Sequence, residues 1–168
     1  MGRKEEMFQY AREKLTPYIS ERANLLRKDC AAYLEMKREY HRIVSDLLQT
    51  AQKRQAAGTL GQIHYFSIFY LQSSAVTQSY DFALSLTNER YCLDQNGLLC
   101  FWCLQRLFQA VEEDLSFFEK DARQMWIRIR PYELEEIRRA YINNLYQLAG
   151  FFFGEESLDA AVLGGIAR

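Results

Sequence analysis

Apolar and polar positions follow three rhythms along this chain, and each predicts a different kind of element. Thr16 followed by Pro17 reads as a helix N-cap and first helical residue. From there Ile19, Ala23, Leu26, Cys30, Tyr33, Lys37, Tyr40, Val44, Leu47 and Ala51 recur in strict steps of four and three, with Lys37 the only non-apolar member. A 3.5-residue period held over this span predicts one helix across 17–57, roughly 60 Å long at 1.5 Å per residue. Gly58 stops it, and a shorter helix over 4–15 precedes it. The flanks of the stripe change along its length. Around Ile19 to Cys30 they are Arg22, Arg27, Lys28 and Asp29; later they become Leu34, Met36, Ile43 and Leu48. A narrow stripe suits a seam against one partner helix, and a wide one suits a core. Ile19, Leu26, Cys30, Tyr33 and Tyr40 therefore form the candidate interaction face, covered by the chain's own helix over 131–153 or by a second copy, with a homodimer expected.

The second rhythm has a period of two. Gln62–Leu71 is dense in aromatic and β-branched residues, with apolar groups on both alternating faces. Across 79–87 Tyr80, Phe82, Leu84 and Leu86 alternate with small and polar residues, which a helix would scatter around its circumference. A short Tyr91/Leu93 alternation follows, then Asn96-Gly97, a two-residue hairpin signal with both residues expected at positive φ. Leu98–Trp102 is the return strand. The strands within 62–102 predict a four-stranded antiparallel meander, and a helical hairpin competes because Ala, Gln and Ser in 72–79 do not resist a helix.

The helical spacing returns over 104–123 and, after Pro131, over 131–153, with acidic residues in the positive first turn of the last helix. The tail 154–168 is rich in small residues and is expected to fray, apart from a turn over 157–163. The pattern predicts an α+β fold in a single domain, 1–168: a long N-terminal helix and two C-terminal helices packed on the meander. The alternative is an all-α helical bundle.

Composition narrows the function. The 168 residues are 49% apolar and 14% aromatic with a net charge of −1. That excludes disorder, and nothing global draws the chain to nucleic acid or to an anionic membrane. The absence of a leader pattern and of an apolar run of spanning length reads as cytoplasmic, so the four cysteines read as reduced thiols.

Cys100-Phe-Trp-Cys103 is the most redox-like motif, but it lacks the βαβ setting and the facing proline of a thioredoxin site, and buried structural thiols are expected. Zinc held by Cys92, Cys100, Cys103 and His41 or His64 lacks a second ligand pair, so no metal and no cofactor are expected. Each histidine reads as packed and hydrogen-bonded. No nucleophile elbow, phosphate loop or dinucleotide loop is present. Glu112, Glu113 and Asp114 diverge by 100° per residue on a helix and read as a solvated face. Arg128 and Arg130, two apart in an extended stretch beside Trp126 and Tyr132, form a candidate anion clamp, although pairing with nearby carboxylates competes. The expected function is a non-enzymatic interaction or adaptor module that uses its long helix to bind itself or a protein partner. The alternative is a small-molecule-binding or enzymatic domain with an aromatic pocket and the Arg128/Arg130 clamp.

Overall fold

In the computed structural model, which describes residues 2–157, the chain forms in order α1 (Arg3–Leu25), α2 (Ala31–Ala56), β1 (Tyr65–Tyr70), α3 (Gln72–Thr77), β2 (Asp81–Thr87), β3 (Leu98–Cys103), α4 (Gln105–Phe108), α5 (Val111–Met125) and α6 (Pro131–Ser157), with a 3-10 turn at Tyr91–Leu93. These elements cluster into two compact units. Residues 2–33 and 106–152 make a helical unit, and 34–105 with 153–157 make a sheet unit. The α+β class holds, while the described sheet has three strands and not four.

In the helical unit, α1 starts on Gly2, whose amide donates to Glu5 Oε2 at 2.9 Å. It then runs through Pro17, so the expected boundary at Thr16-Pro17 is absent and no helix spans 17–57. An interior proline removes the bond to the carbonyl four residues back and costs about 3 kcal/mol. Burial of Leu15 and Arg22 on either side of it holds the helix together. The break falls instead at Leu26–Cys30, closed by the Leu26 amide on Ala23 (3.1 Å) and the Cys30 amide on Arg27 (2.8 Å). The seam is therefore interrupted where it was expected to be continuous. The helix expected over 104–123 is likewise two pieces, α4 and α5, separated at Gln109-Ala110. α6 begins at Pro131, with the Arg130 amide on Glu133 Oε2 at 2.8 Å, the reciprocal half of a capping box.

In the sheet unit, α2 closes on Gly58 at φ +69°, with the Thr59 amide reaching the Arg54 carbonyl at 2.9 Å in a Schellman turn. The sheet order is β1-β2-β3, all antiparallel, with Ile68 opposite Leu84 and Leu84 opposite Cys100. The inner face packs Phe82 and Trp102 with Tyr40 and Phe153; Phe82 and Phe153 stand edge to face at 4.9 Å. The segment expected as a fourth strand is the 3-10 turn at Tyr91–Leu93, inside a long β2–β3 connection. Asn96-Gly97 is not the positive-φ hairpin turn expected; the left-handed residue in this connection is Tyr91, at φ +50°. Asp94 organises the loop instead, accepting the Asn88 amide (2.8 Å) and the Asn96 amide (2.9 Å), and these bonds hold its carboxyl below the usual range. An Asx side chain that satisfies two amides displaces the local hairpin preference of the dipeptide.

α6 continues past Gly154 to Ser157, so the chain does not fray at Gly154. In the sheet unit its last turn supplies Glu156, buried and bonded at 3.0 Å to both Lys37 Nζ and His41 Nε2. The remainder of the tail, with most of the turn expected over 157–163, lies outside the described residues. No helix among those residues is long and apolar enough to cross a membrane.

Candidate functional site

Successive side chains on a strand point to opposite faces, so the register sorts the sheet into two surfaces. The inner one, with Leu84 and Leu86 fully buried, is core. The outer one sets Phe69, Ala83 and Phe101 in one row across the three strands, and Ser67, Ser85 and Leu99 in the next. Its large side chains stay open to solvent: Tyr65 is 46% exposed, Phe69 41%, Leu99 55% and Phe101 58%. Between them Ala83 and Ser85 are buried, so two apolar ridges flank a narrow strip of small residues. Asp81, at the end of β2, is the only Asp, Glu, Lys, Arg or His in the three strands.

Tyr91 completes this face from the loop. Its ring stands edge-on to Tyr65 at 5.3 Å and tilts over Phe69 at 6.3 Å. A bulky residue held at φ +50° is strained, and such strain persists only where the surroundings impose it. β1 is also an edge. The bond between the Leu71 amide and Asp81 fixes the odd-numbered residues of β1 as those turned to β2. The backbone groups of Phe66 and Ile68 therefore point outward. Edge strands are ordinarily blunted by charge, proline or a bulge; the six residues of β1 carry neither charge nor proline.

The residues singled out in the sequence lie elsewhere. Tyr33 and Tyr40 are core residues, Tyr33 edge-on to Phe152 at 5.6 Å and Tyr40 against Trp102 at 5.5 Å, so neither offers surface to a partner. Ile19, Leu26 and Cys30 are half-buried, Ile19 in α1 and the other two in the break after it. Of the proposed clamp, Arg130 lies over the Tyr132 ring at 5.9 Å, and its Nη1 donates to the Tyr132 hydroxyl at 3.3 Å. Arg128 exposes its side chain and uses its carbonyl to accept from Arg3. Trp126 turns to Tyr10, edge-on at 5.0 Å. Arg130 and Tyr132 thus meet each other, while Trp126 and the Arg128 carbonyl make their contacts with α1.

Cys100 and Cys103 are three apart on β3, which places them on opposite faces. Burial raises both thiols, Cys103 to about 11, the reverse of an activated cysteine. Among the described residues no group of three or more His, Cys, Asp or Glu is placed to hold a metal ion. The acidic run at 112–114 is not uniformly solvated. Asp114 is buried, 2.5 Å from Arg22 Nη2, and accepts the Tyr141 hydroxyl at 2.6 Å. Burial pushes its carboxyl up, against the pull of Tyr141 and Arg22, and burial with the Asp114 bond also raises Tyr141.

Sequence reasoning missed the outer sheet face. The signal available for it was the apolar occupancy of both alternations in 62–71 and the lack of charge through 98–103. Comparison with known proteins adds nothing to the geometry: no family model, curated protein or solved structure matches the chain.

Proposed function

We propose that this chain is a protein-interaction module whose partner is a second copy of itself, docked through the outer face of the sheet. The observation that carries the reading is the uncharged patch of Tyr65, Phe69, Tyr91, Leu99 and Phe101, all exposed on one face. A two-fold contact sets a surface against its own copy, so charge on it would meet like charge. The one charged residue of this face, Asp81, stands at the end of β2 beside Cys103, so the patch itself meets no such repulsion, and its ridges and central strip have the relief that aligned sheets interdigitate at about 10 Å. The five side chains are 37–58% exposed, so with aromatics of about 150–250 Å² each the patch falls within the roughly 300–600 Å² of the largest patches on monomers. Doubled across a two-fold axis, the upper part of that range meets the ~1,000 Å² that a specific interface needs. The helix seam expected from the sequence is not this surface, because its second half is the chain's own core.

Sedimentation velocity between about 1 and 100 µM tests the proposal, over a span that brackets micromolar affinity. The wild-type protein is expected to show a dimer that dissociates on dilution. Leu99→Lys/Phe101→Lys is expected to sediment as monomer throughout with its melting temperature preserved. A wild-type monomer across the range, or a dimer that the double variant leaves intact, overturns it.

A further inference from the structure

A second site lies in the helical unit and is independent of the sheet. Five cations project from α1, and four of them meet carboxylates of α5 or α6. Arg3 pairs with Glu133 (2.8 Å), Lys4 with Glu136 (2.7 Å), Lys14 with Asp121 (2.9 Å) and Arg22 with Asp114 (2.5 Å). Arg12 is the exception: its side chain makes no ion pair among the described residues, and it lines a half-open cleft of about 340 Å³ between α1 and α6.

The walls of that cleft follow helical spacing on both sides. Phe8, Leu15 and Ile19 come from α1, and Ile137, Ala140 and Tyr141 from α6. Tyr141 contributes its ring but not its hydroxyl, which is committed to Asp114. The Thr16 hydroxyl is also occupied, donating to the Arg12 carbonyl at 2.6 Å. Two side-chain polar groups then remain for a ligand, the Arg12 guanidinium and the Asn144 amide. The site thus offers an apolar trough with one cation and one amide.

We infer that this cleft binds an amphiphilic carboxylate of medium chain length, its head on Arg12 and Asn144 and its tail against Leu15, Ile19 and Ile137. The guanidinium fork and the carboxylate match in charge and plane. The volume sets the tail length. At roughly 30 Å³ per water-sized unit, 340 Å³ holds about a dozen non-hydrogen atoms, the size of a ten-carbon carboxylate.

Isothermal titration of the full chain with sodium decanoate, with decyltrimethylammonium as the same tail on a cationic head, tests the inference. Decanoate is expected to bind one site per chain below about 1 mM, and the ammonium compound at least ~10-fold more weakly. Arg12→Gln, an exposed position that leaves the fold intact, is expected to weaken decanoate by ~10-fold or more, the scale of a charge-assisted hydrogen-bond pair, and to leave the ammonium compound unweakened. Ala140→Trp fills the trough and is expected to abolish decanoate binding. Absence of saturable decanoate binding, equal affinity for the two heads, or an unchanged decanoate affinity in Arg12→Gln each overturns the inference. A peptide helix that binds the cleft while decanoate does not assigns the site to a protein partner and overturns it as well.

Discussion

Along α1 four of five cations are met by carboxylates of α5 or α6, whereas the three strands of the sheet unit carry a single charged residue, Asp81. The difference follows from how each unit fixes its register. Packed helices satisfy their own backbones, so nothing in the main chain stops one from sliding or turning against its neighbour. Side chains must peg them, and pairs such as Arg3–Glu133 and Arg22–Asp114 do so at opposite ends of α1. Strands are held side by side by the backbone ladder, and their register is set by the inward hydrophobic pattern and the turns. Their outward side chains are not needed for register and are left to form a surface. Charge in the helical unit marks structure, and the scarcity of charge on the sheet, Asp81 alone at the end of β2, marks the candidate interface.

The comparison breaks most sharply at Arg22. Replacing it with Met leaves Asp114 and the Tyr141 hydroxyl facing each other in a buried site without a cation. The expected loss is about 3–5 kcal/mol, read by chemical denaturation. Arg22→Met/Asp114→Leu is expected to regain most of it, because an apolar replacement of a buried pair is often neutral or stabilising. A loss below about 1 kcal/mol in the single variant would mean the pair is no peg.

A smaller effect is expected in the sheet unit at Gly97. The cause is crowding, because a Cβ there would stand 3.1 Å from the Leu86 carbonyl oxygen and from Thr87 Cγ2. Gly97→Val is expected to cost about 1–3 kcal/mol in thermal unfolding. Gly97→Ala should fall below it, since the clash begins at Cβ but grows with the branch.

Acid titration sharpens the comparison further. The Arg130 amide first, then Arg3, hold the Glu133 carboxyl below its ordinary value. A depressed carboxyl contributes stability that is present above its unfolded pKa, near 4.3, and is lost as pH falls through the folded value. Asp114 has the opposite sign, because its raised folded value means that protonation on acidification favours the folded state. Glu133→Gln is therefore expected to flatten the acid limb of a melting-temperature profile below about pH 5. An unchanged limb would remove Glu133 from the set of pegs. The smallest effect belongs to the sheet face, where Phe101→Lys is expected to change monomer stability by no more than about 0.5 kcal/mol. A larger loss would make Phe101 part of the sheet unit's own packing, with no face left to offer.

Periodicity located the elements wherever local spacing and burial agreed. The alternation at Phe82, Leu84 and Leu86 gave β2, and the 3.6-residue spacing of Ile137, Tyr141 and Leu145 gave the buried face of α6. It failed where a local signal met a competing demand. Pro17 signals a helix start, yet the tertiary burial of Leu15 and Arg22 carries α1 through it. Asn96-Gly97 signals a hairpin, yet Asp94 takes the amides of Asn88 and Asn96 and turns the loop another way. The interaction face shows the same division. The seam stopped at Leu26–Cys30 and ran into core at Tyr33, while the patch on the sheet drew residues from β1, β3 and the loop between β2 and β3, as far apart as Tyr65 and Phe101.

By itself the sequence determined the class of fold and most strands and helices, because hydrophobic spacing is a local property read over ten or twenty residues. Only the tertiary structure decided which carboxylate meets which cation, which strand faces are covered, and which arginine is left beside a cleft. Those outcomes depend on residues more than a hundred positions apart, such as Arg3 with Glu133 and Lys37 with Glu156, and a spacing along the chain carries no record of what will stand opposite it in space.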